Sequence, residues 1–325
     1  MDQGTFRRFK RLIERCGFYR RRKGERHSDG AILAVALWAA LHDRAIDWAC
    51  QRSNWTPGLW RGTLPSQSCM SRRMRTPRFQ AQQQRLERLA RTTPTPTPTS
   101  PTTPTNAAGL ATRTSVRRGA IASSEPPPIV LVACIDAKPL PVAWHSGDPH
   151  AGKGRGAGAL ALGYKLHAII SARGHLLAWR LAPLSVDEKA MAARMIREIQ
   201  GVCYLVGDSF YNSNLLFRLA EDRGAQLVAP RKRSHVGTRP GNHDHHPDRL
   251  RSIDLLEDGL EPFALDLLMA RRAIERFFAN LTNFGGGLTT LPPWVRTYPR
   301  VLAWTTNKLT IAHLRQRPAH DTLAA

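Results

Sequence analysis

Three acidic residues carry the chemistry this sequence can do. Asp136 directly follows a continuous apolar run at 129–135 (IVLVACI), and Asp208 follows a second run at 202–206 with Gly207 between. Acids at the ends of neighbouring central strands converge in space however far apart they lie along the chain, because such strands open onto one crevice. The third, Glu275, sits in RRAIERFFANL beside the helical stripe of Ile274, Phe278 and Leu281, from which it can reach over the sheet edge. Taken singly, each has an ordinary reading: a turn or cap for the aspartates, an ion-pair partner of Arg271 for Glu275. Taken together, three converging carboxylates repel one another unless cations sit among them, and hard oxygen donors with open positions suit Mg²⁺ or Mn²⁺. Two such ions can activate an attacking oxygen and stabilise a departing one in an in-line phosphodiester displacement.

The charge of the chain supplies a substrate class for that chemistry. In 325 residues, 48 Lys+Arg stand against 25 Asp+Glu, a formal net charge of +23. So basic a chain with 42% hydrophobic residues is expected to fold and to handle a polyanion, nucleic acid above all. The apolar stretch at 31–41 falls short of the ~20 residues needed to cross a bilayer, so no membrane association is expected. Five scattered cysteines without a CxxC pair form neither a disulfide framework nor a zinc knuckle, which fits a reduced cytoplasmic compartment. The Asn242–His243–Asp244–His245–His246 cluster lacks cysteines and a helical i, i+4 pair, and reads as a solvated loop.

Composition divides the chain into a basic segment 1–91, a Thr/Pro-rich spacer 92–127 built on TTPTPTPTSPTTPT, and a segment 128–325. Proline removes backbone donors and favours extended structure, so the spacer reads as a semi-rigid linker. Segment 1–91 reads as a small all-helical domain: Phe6, Phe9, Leu12 and Ile13 follow helical spacing, and Ser28 is placed to cap an Ala/Leu-rich helix. Near its end, serines precede Arg72, Arg73 and Arg75. A helix starting there presents amide groups and guanidinium groups together, a surface suited to DNA; a solvated basic face is the alternative.

Segment 128–325 alternates strands and helices. Strands are expected at 129–135, 163–171, 175–182, 202–206 and 226–229, and helices at 187–199, 211–222 and from Pro262 to about Phe284. That order makes an α/β fold, a sheet of mixed strand direction flanked by helices. Lys153 and Arg155, in GKGRGAG, are expected on a mobile glycine-rich loop that lacks the P-loop pattern.

Six segments in sequence, IDAKPLPV, GYKLHAII, GDSFYNSNLL, APRKR, RRAIERFFANL and the terminal NKL, resemble the catalytic domain of bacterial insertion-sequence transposases with a DDE triad on an RNase H-like fold. The resemblance spans about residues 130–314, and the helical region 1–91 more loosely resembles the DNA-binding part of such enzymes. It implies an RNase H-like mixed sheet with Asp136, Asp208 and Glu275 as the catalytic, metal-holding triad and Mg²⁺ or Mn²⁺, two ions, as cofactor. Lys165 and His167, on one face of a strand, would touch DNA phosphate or simply occupy the sheet surface. Tyr211 would position the scissile phosphate or pack the following helix. Arg231, Lys232 and Arg233 would clamp the backbone, and Arg271 and Arg272 would hold a phosphate near the metals. The implied partners are DNA, as terminal inverted repeats and as target, and a second copy of the chain, a homodimer or higher when element ends are paired. The implied location is the cytoplasm, associated with the nucleoid. A catalytically inactive DNA-binding remnant and an RNase H-like nuclease without strand transfer are the alternatives.

Overall fold

A computed structural model describes residues 2–92, 130–156, 158–231, 245–257, 262–283 and 287–316. Apart from Thr92, the Thr/Pro spacer lies outside the described residues.

The fold is mixed α/β. Its sheet holds β1 (Val130–Pro141), β2 (Gly152–Gly156), β3 (Ala159–Ser171), β4 (Leu176–Pro183), β5 (Val202–Val206) and β6 (Gln226–Val228). The order is β2-β3-β1-β5-β6, with β4 also on β3. β1, β2, β3 and β4 pair antiparallel, whereas β1–β5 and β5–β6 are parallel. The strand alternation of side chains sorts the core into two faces. Ala133, Ile135 and Ile169 face α6 (Glu188–Ile196) and α7 (Asn214–Glu221). Cys134, Leu140, Tyr164, Leu166, Ala168 and Ile170 belong to the opposite layer, with α9 (Pro262–Ala270) and α10 (Arg272–Asn283).

This second layer runs on into the N-terminal helices, α1 (Asp2–Arg15), α2 (Asp29–Leu41), α3 (Ile46–Ala49), α4 (Gln67–Met74) and α5 (Pro77–Thr92), as one apolar cluster. Ser28 caps α2 as expected, its Oγ accepting from the Ala31 amide at 3.2 Å. The fastening comes from α11 (Tyr298–Gln316), which packs on α1, α2 and α5. Gln83 donates to the Ala303 carbonyl at 2.8 Å and to Asn307 Oδ1 at 2.7 Å, and Asn307 donates to the Ala36 carbonyl at 3.2 Å. Lys308, fully buried, pairs with Asp43. The NKL segment thus acts as a clasp between the ends of the chain.

Three local expectations are corrected. β1 does not stop before Asp136 but continues to Pro141, paired with β3 throughout. The β1–β5 pairing reaches Cys134, so beyond it one edge of β1 has no neighbouring strand, only the Leu291 amide donating to the Pro141 carbonyl at 2.8 Å, and the prolines at 139 and 141, which lack an N–H, are tolerated there. The glycine-rich segment is strand β2, hydrogen-bonded to β3, rather than a loop. The helix opening at Pro262 breaks at Arg271 into α9 and α10.

Candidate active site

The parallel register of β1 and β5 pairs Val130 with Val202, Val132 with Tyr204 and Cys134 with Val206. Continued two residues, the same offset sets Asp208 beside Asp136. Asp136 shares a face with Cys134, the face covered by α9 and α10, where Cys134 Sγ donates to the Ala270 carbonyl at 3.2 Å. The next residue, Arg271, occupies the break between the two helices. Its Nη2 lies 3.9 Å from Asp208 Oδ2. The helix break therefore brings one guanidinium to Asp208, just past the end of β5, and within electrostatic reach of Asp136 inside β1.

Local backbone contacts fix the acids. Asp136 Oδ1 accepts from the Ala137 amide, and Asp208 Oδ1 from the Phe210 amide, both at 2.8 Å. The latter bond caps a 3-10 turn, Ser209–Tyr211, where the sequence suggested the start of a helix; α7 begins at Asn214. Gly207 is required here by close approach: a Cβ would lie 3.0 Å from Tyr211 Cδ2 and 3.1 Å from Ile135 Cγ2.

Burial pushes the Asp136 carboxyl up to about 6. The Ala137 amide and Arg271 work against that shift, and the Asp208 and Glu188 charges add to it. Glu188, in the first turn of α6, was not singled out from sequence. Nothing in LSVDEKA marks it, because its position follows from how α6 lies across the sheet. It pairs with Lys165, which is thereby committed to this acid. Tyr211 is buried, and its hydroxyl has no hydrogen-bond partner among the described residues. Its pKa is driven up by burial first and then by the charges of Asp136, Glu188 and Asp208.

The remaining residues fall into several groups. Glu275 is exposed in the first turn of α10, one turn beyond Arg271, and makes no hydrogen bond or ion pair with a described residue. Arg272 is exposed beside it. His167 is fully buried, away from any surface a polyanion could touch. Arg231 pairs with Glu257 at 2.5 Å, and Lys232 and Arg233 lie outside the described residues. On α4, Arg72 and Arg75 are exposed. Arg73 instead pairs with Asp29 and with Glu25 (3.3 Å) and donates to the His27 carbonyl. Of the histidine cluster, His246 meets Glu221 at 3.1 Å, while 242–244 lie outside the described residues.

Among the described residues no group of three or more His, Cys, Asp or Glu side chains is arranged to hold a metal ion. The structure brings together two members of the expected triad, Asp136 and Asp208, and does not join Glu275 to them. These two are hard oxygen donors of the kind a divalent cation takes, and the half-buried Asp136 bears a cost to its charged form that such a cation would offset.

The family described as Transposase DDE domain matches residues 130–293, a stretch that takes in both aspartates, Arg271 and Glu275. No curated protein and no solved structure matches the chain.

Proposed function

Because the chain belongs to the transposase DDE domain family, we propose that it cuts DNA at the ends of an insertion element and joins the freed 3′ ends to target DNA. The observation that carries this reading is the β1/β5 register, which sets Asp208 beside Asp136 with Arg271 between the helices above them.

In this reading Asp136 and Asp208 would hold a divalent ion, with Glu275, which stands apart from them here, as the third donor that the family resemblance implies. A bound ion of this kind supplies charge stabilisation for an in-line displacement at phosphorus. Arg271 meets a non-bridging phosphate oxygen and offsets the charge that the acids impose on the DNA. Tyr211, buried with its hydroxyl beneath the surface, packs the turn that holds Asp208 rather than meeting the phosphate. Lys165 keeps Glu188 neutralised, so that this fourth carboxylate does not repel the substrate. Arg72 and Arg75, exposed on α4, contact the phosphates of the terminal inverted repeats. Two ends must be held together, so the working species is a dimer or larger.

One observation favours a second reading. Glu275 stands exposed and apart, as it would in a DNA-binding remnant that no longer cuts. A plasmid carrying the element's ends, incubated with the full chain and Mg²⁺, separates the readings. Cutting with joining supports the proposal, binding without cutting supports the remnant, and cutting without joining leaves a nuclease.

A further inference from the structure

The β2–β3 ribbon has two unlike faces. Registered pairs share a face: Gly152 with Gly163, Gly154 with Ala161 and Gly156 with Ala159 on one side, Lys153 with Leu162 and Arg155 with Leu160 on the other. The small face is tied down. A Cβ on Gly152 would lie 2.6 Å from the Ser185 amide nitrogen, and one on Gly154 would meet the Leu184 carbonyl, so β2 can rest on this backbone only because it carries glycine there. The other face is presented to solvent except at Leu162, which packs partly buried against the core: Leu160 is 64% exposed, and Lys153 and Arg155 are exposed. Over Lys153 stands Trp144, 50% exposed, with the Lys153 Nζ 5.8 Å from its ring centroid.

Strand parity places this surface. Ala168, opposite Asp136, shares its side of β3 with Leu166, Tyr164 and Leu162, and Leu162 is opposite Lys153. The exposed face of the ribbon is therefore the face of the sheet that bears Asp136. From Asp136 to Pro141, where the ribbon begins, is five residues of β1, about 17 Å at 3.3 Å per residue. That is about five nucleotides of a DNA strand at 3.4 Å each.

The chemistry selects one partner. The sole acid between 143 and 162 is Asp148, and it is buried, accepting from the Tyr164 hydroxyl at 2.8 Å. An exposed indole with Lys153 over its ring and Arg155 two residues further along the same strand face, in a chain of net charge +23, is complementary to a phosphate backbone with accessible bases. We propose that the exposed face of the β2–β3 ribbon is a second DNA contact, gripping the strand that flanks the cleavage position by stacking a base on Trp144 and pairing phosphates with Lys153 and Arg155. This rests on the transposase reading, since it takes its substrate from that reading.

The test uses the full chain and two DNA probes of arbitrary sequence, a blunt duplex and the same duplex with a single-stranded overhang of about five nucleotides. Trp144→Ala is expected to weaken binding of the overhang probe about fivefold or more, while Trp144→Phe retains most of it and blunt-duplex binding is unchanged. Lys153→Gln with Arg155→Gln is expected to lower the slope of log affinity against log salt by about 1.4 to 1.8. All positions are exposed, so thermal midpoints should match the parent and distinguish weaker DNA binding from a damaged fold. Unchanged overhang affinity with Trp144→Ala, a weakening by Trp144→Phe equal to that by Trp144→Ala, or an unchanged salt slope overturns the inference. If the parent protein binds neither probe, the transposase reading falls as well. If the parent binds and cuts while the ribbon variants equal it, the ribbon contact alone is refuted.

Discussion

Asp136 lies two residues past Cys134 on β1, and Asp208 lies two residues past Val206, where β5 ends; Cys134 and Val206 are the last registered pair of these parallel strands. Their proximity thus follows from the sheet register carried through Gly207 into the turn that Asp208 caps, and it depends on both the β1–β5 pairing and that turn.

Gly207 tests how tightly this geometry is built. A methyl group there would lie 3.0–3.1 Å from Tyr211 and Ile135, both buried, and one side would have to shift by a few tenths of an ångström. Gly207→Ala is expected to destabilise by about 1–3 kcal/mol, and to displace the turn that holds Asp208. A thermal melt run beside a cleavage assay checks both. A melt like that of the parent with full cleavage contradicts the packing argument.

Much of this sheet was readable from the chain because central strands leave an apolar, β-branched run that little else produces, as at 129–135 and 202–206, even though Leu131 in the first of these is 65% exposed. Ser28 was readable because a capping hydroxyl before an apolar helix has few other roles. β2 was not, since alternating glycines look like a loop until a neighbouring backbone is seen to need them. The break at Arg271 carries no glycine or proline, and Glu188 reaches the site only through tertiary packing. α11 was hidden too: its buried Thr305, Thr306, Asn307 and Lys308 look like surface until α2 and α5 cover them.

His167 is expected to make the protein acid-labile. Burial first, and then Lys165, lower its pKa from 6.5 to about 4. The unfolded chain therefore binds a proton that the folded one refuses, and stability falls as pH drops from 6.5 towards 4. The full effect is about 3 kcal/mol. His167→Gln removes the titration. Denaturant midpoints across this range should flatten in the variant, and equal slopes in the two proteins contradict the assignment.

The clasp between the ends of the chain is open to a double substitution. Lys308 is fully buried and its pKa is lowered by burial, with Asp43 acting in opposition. Asp43 holds a left-handed backbone (φ 52°), which asparagine also tolerates, so Asp43→Asn isolates the charge. Because the Asp43 side chain is 54% exposed, water screens part of the effect, and about 1–2 kcal/mol of destabilisation is expected. Adding Lys308→Met should return most of it. If the double variant is no more stable than Asp43→Asn alone, the buried charge is not what the pair neutralises.

The arginines of α4 should separate by role. Arg73 spans Asp29 and Glu25, so Arg73→Ala should lower the thermal midpoint. Arg72→Ala and Arg75→Ala should leave it unchanged and weaken DNA binding, with a salt slope smaller by about 0.9 for each phosphate no longer neutralised. Equal drops in melting temperature for all three variants, with no change in slope, contradict this division.

Asp136→Asn addresses the central claim most directly, because the change replaces one oxygen donor at nearly constant shape and removes no cation from the DNA-binding surface. In Mg²⁺ the variant is expected to bind the element's ends as the parent does and to leave supercoiled plasmid uncut. Cleavage at the parent's rate by the folded variant would show that the two neighbouring aspartates are not the catalytic centre.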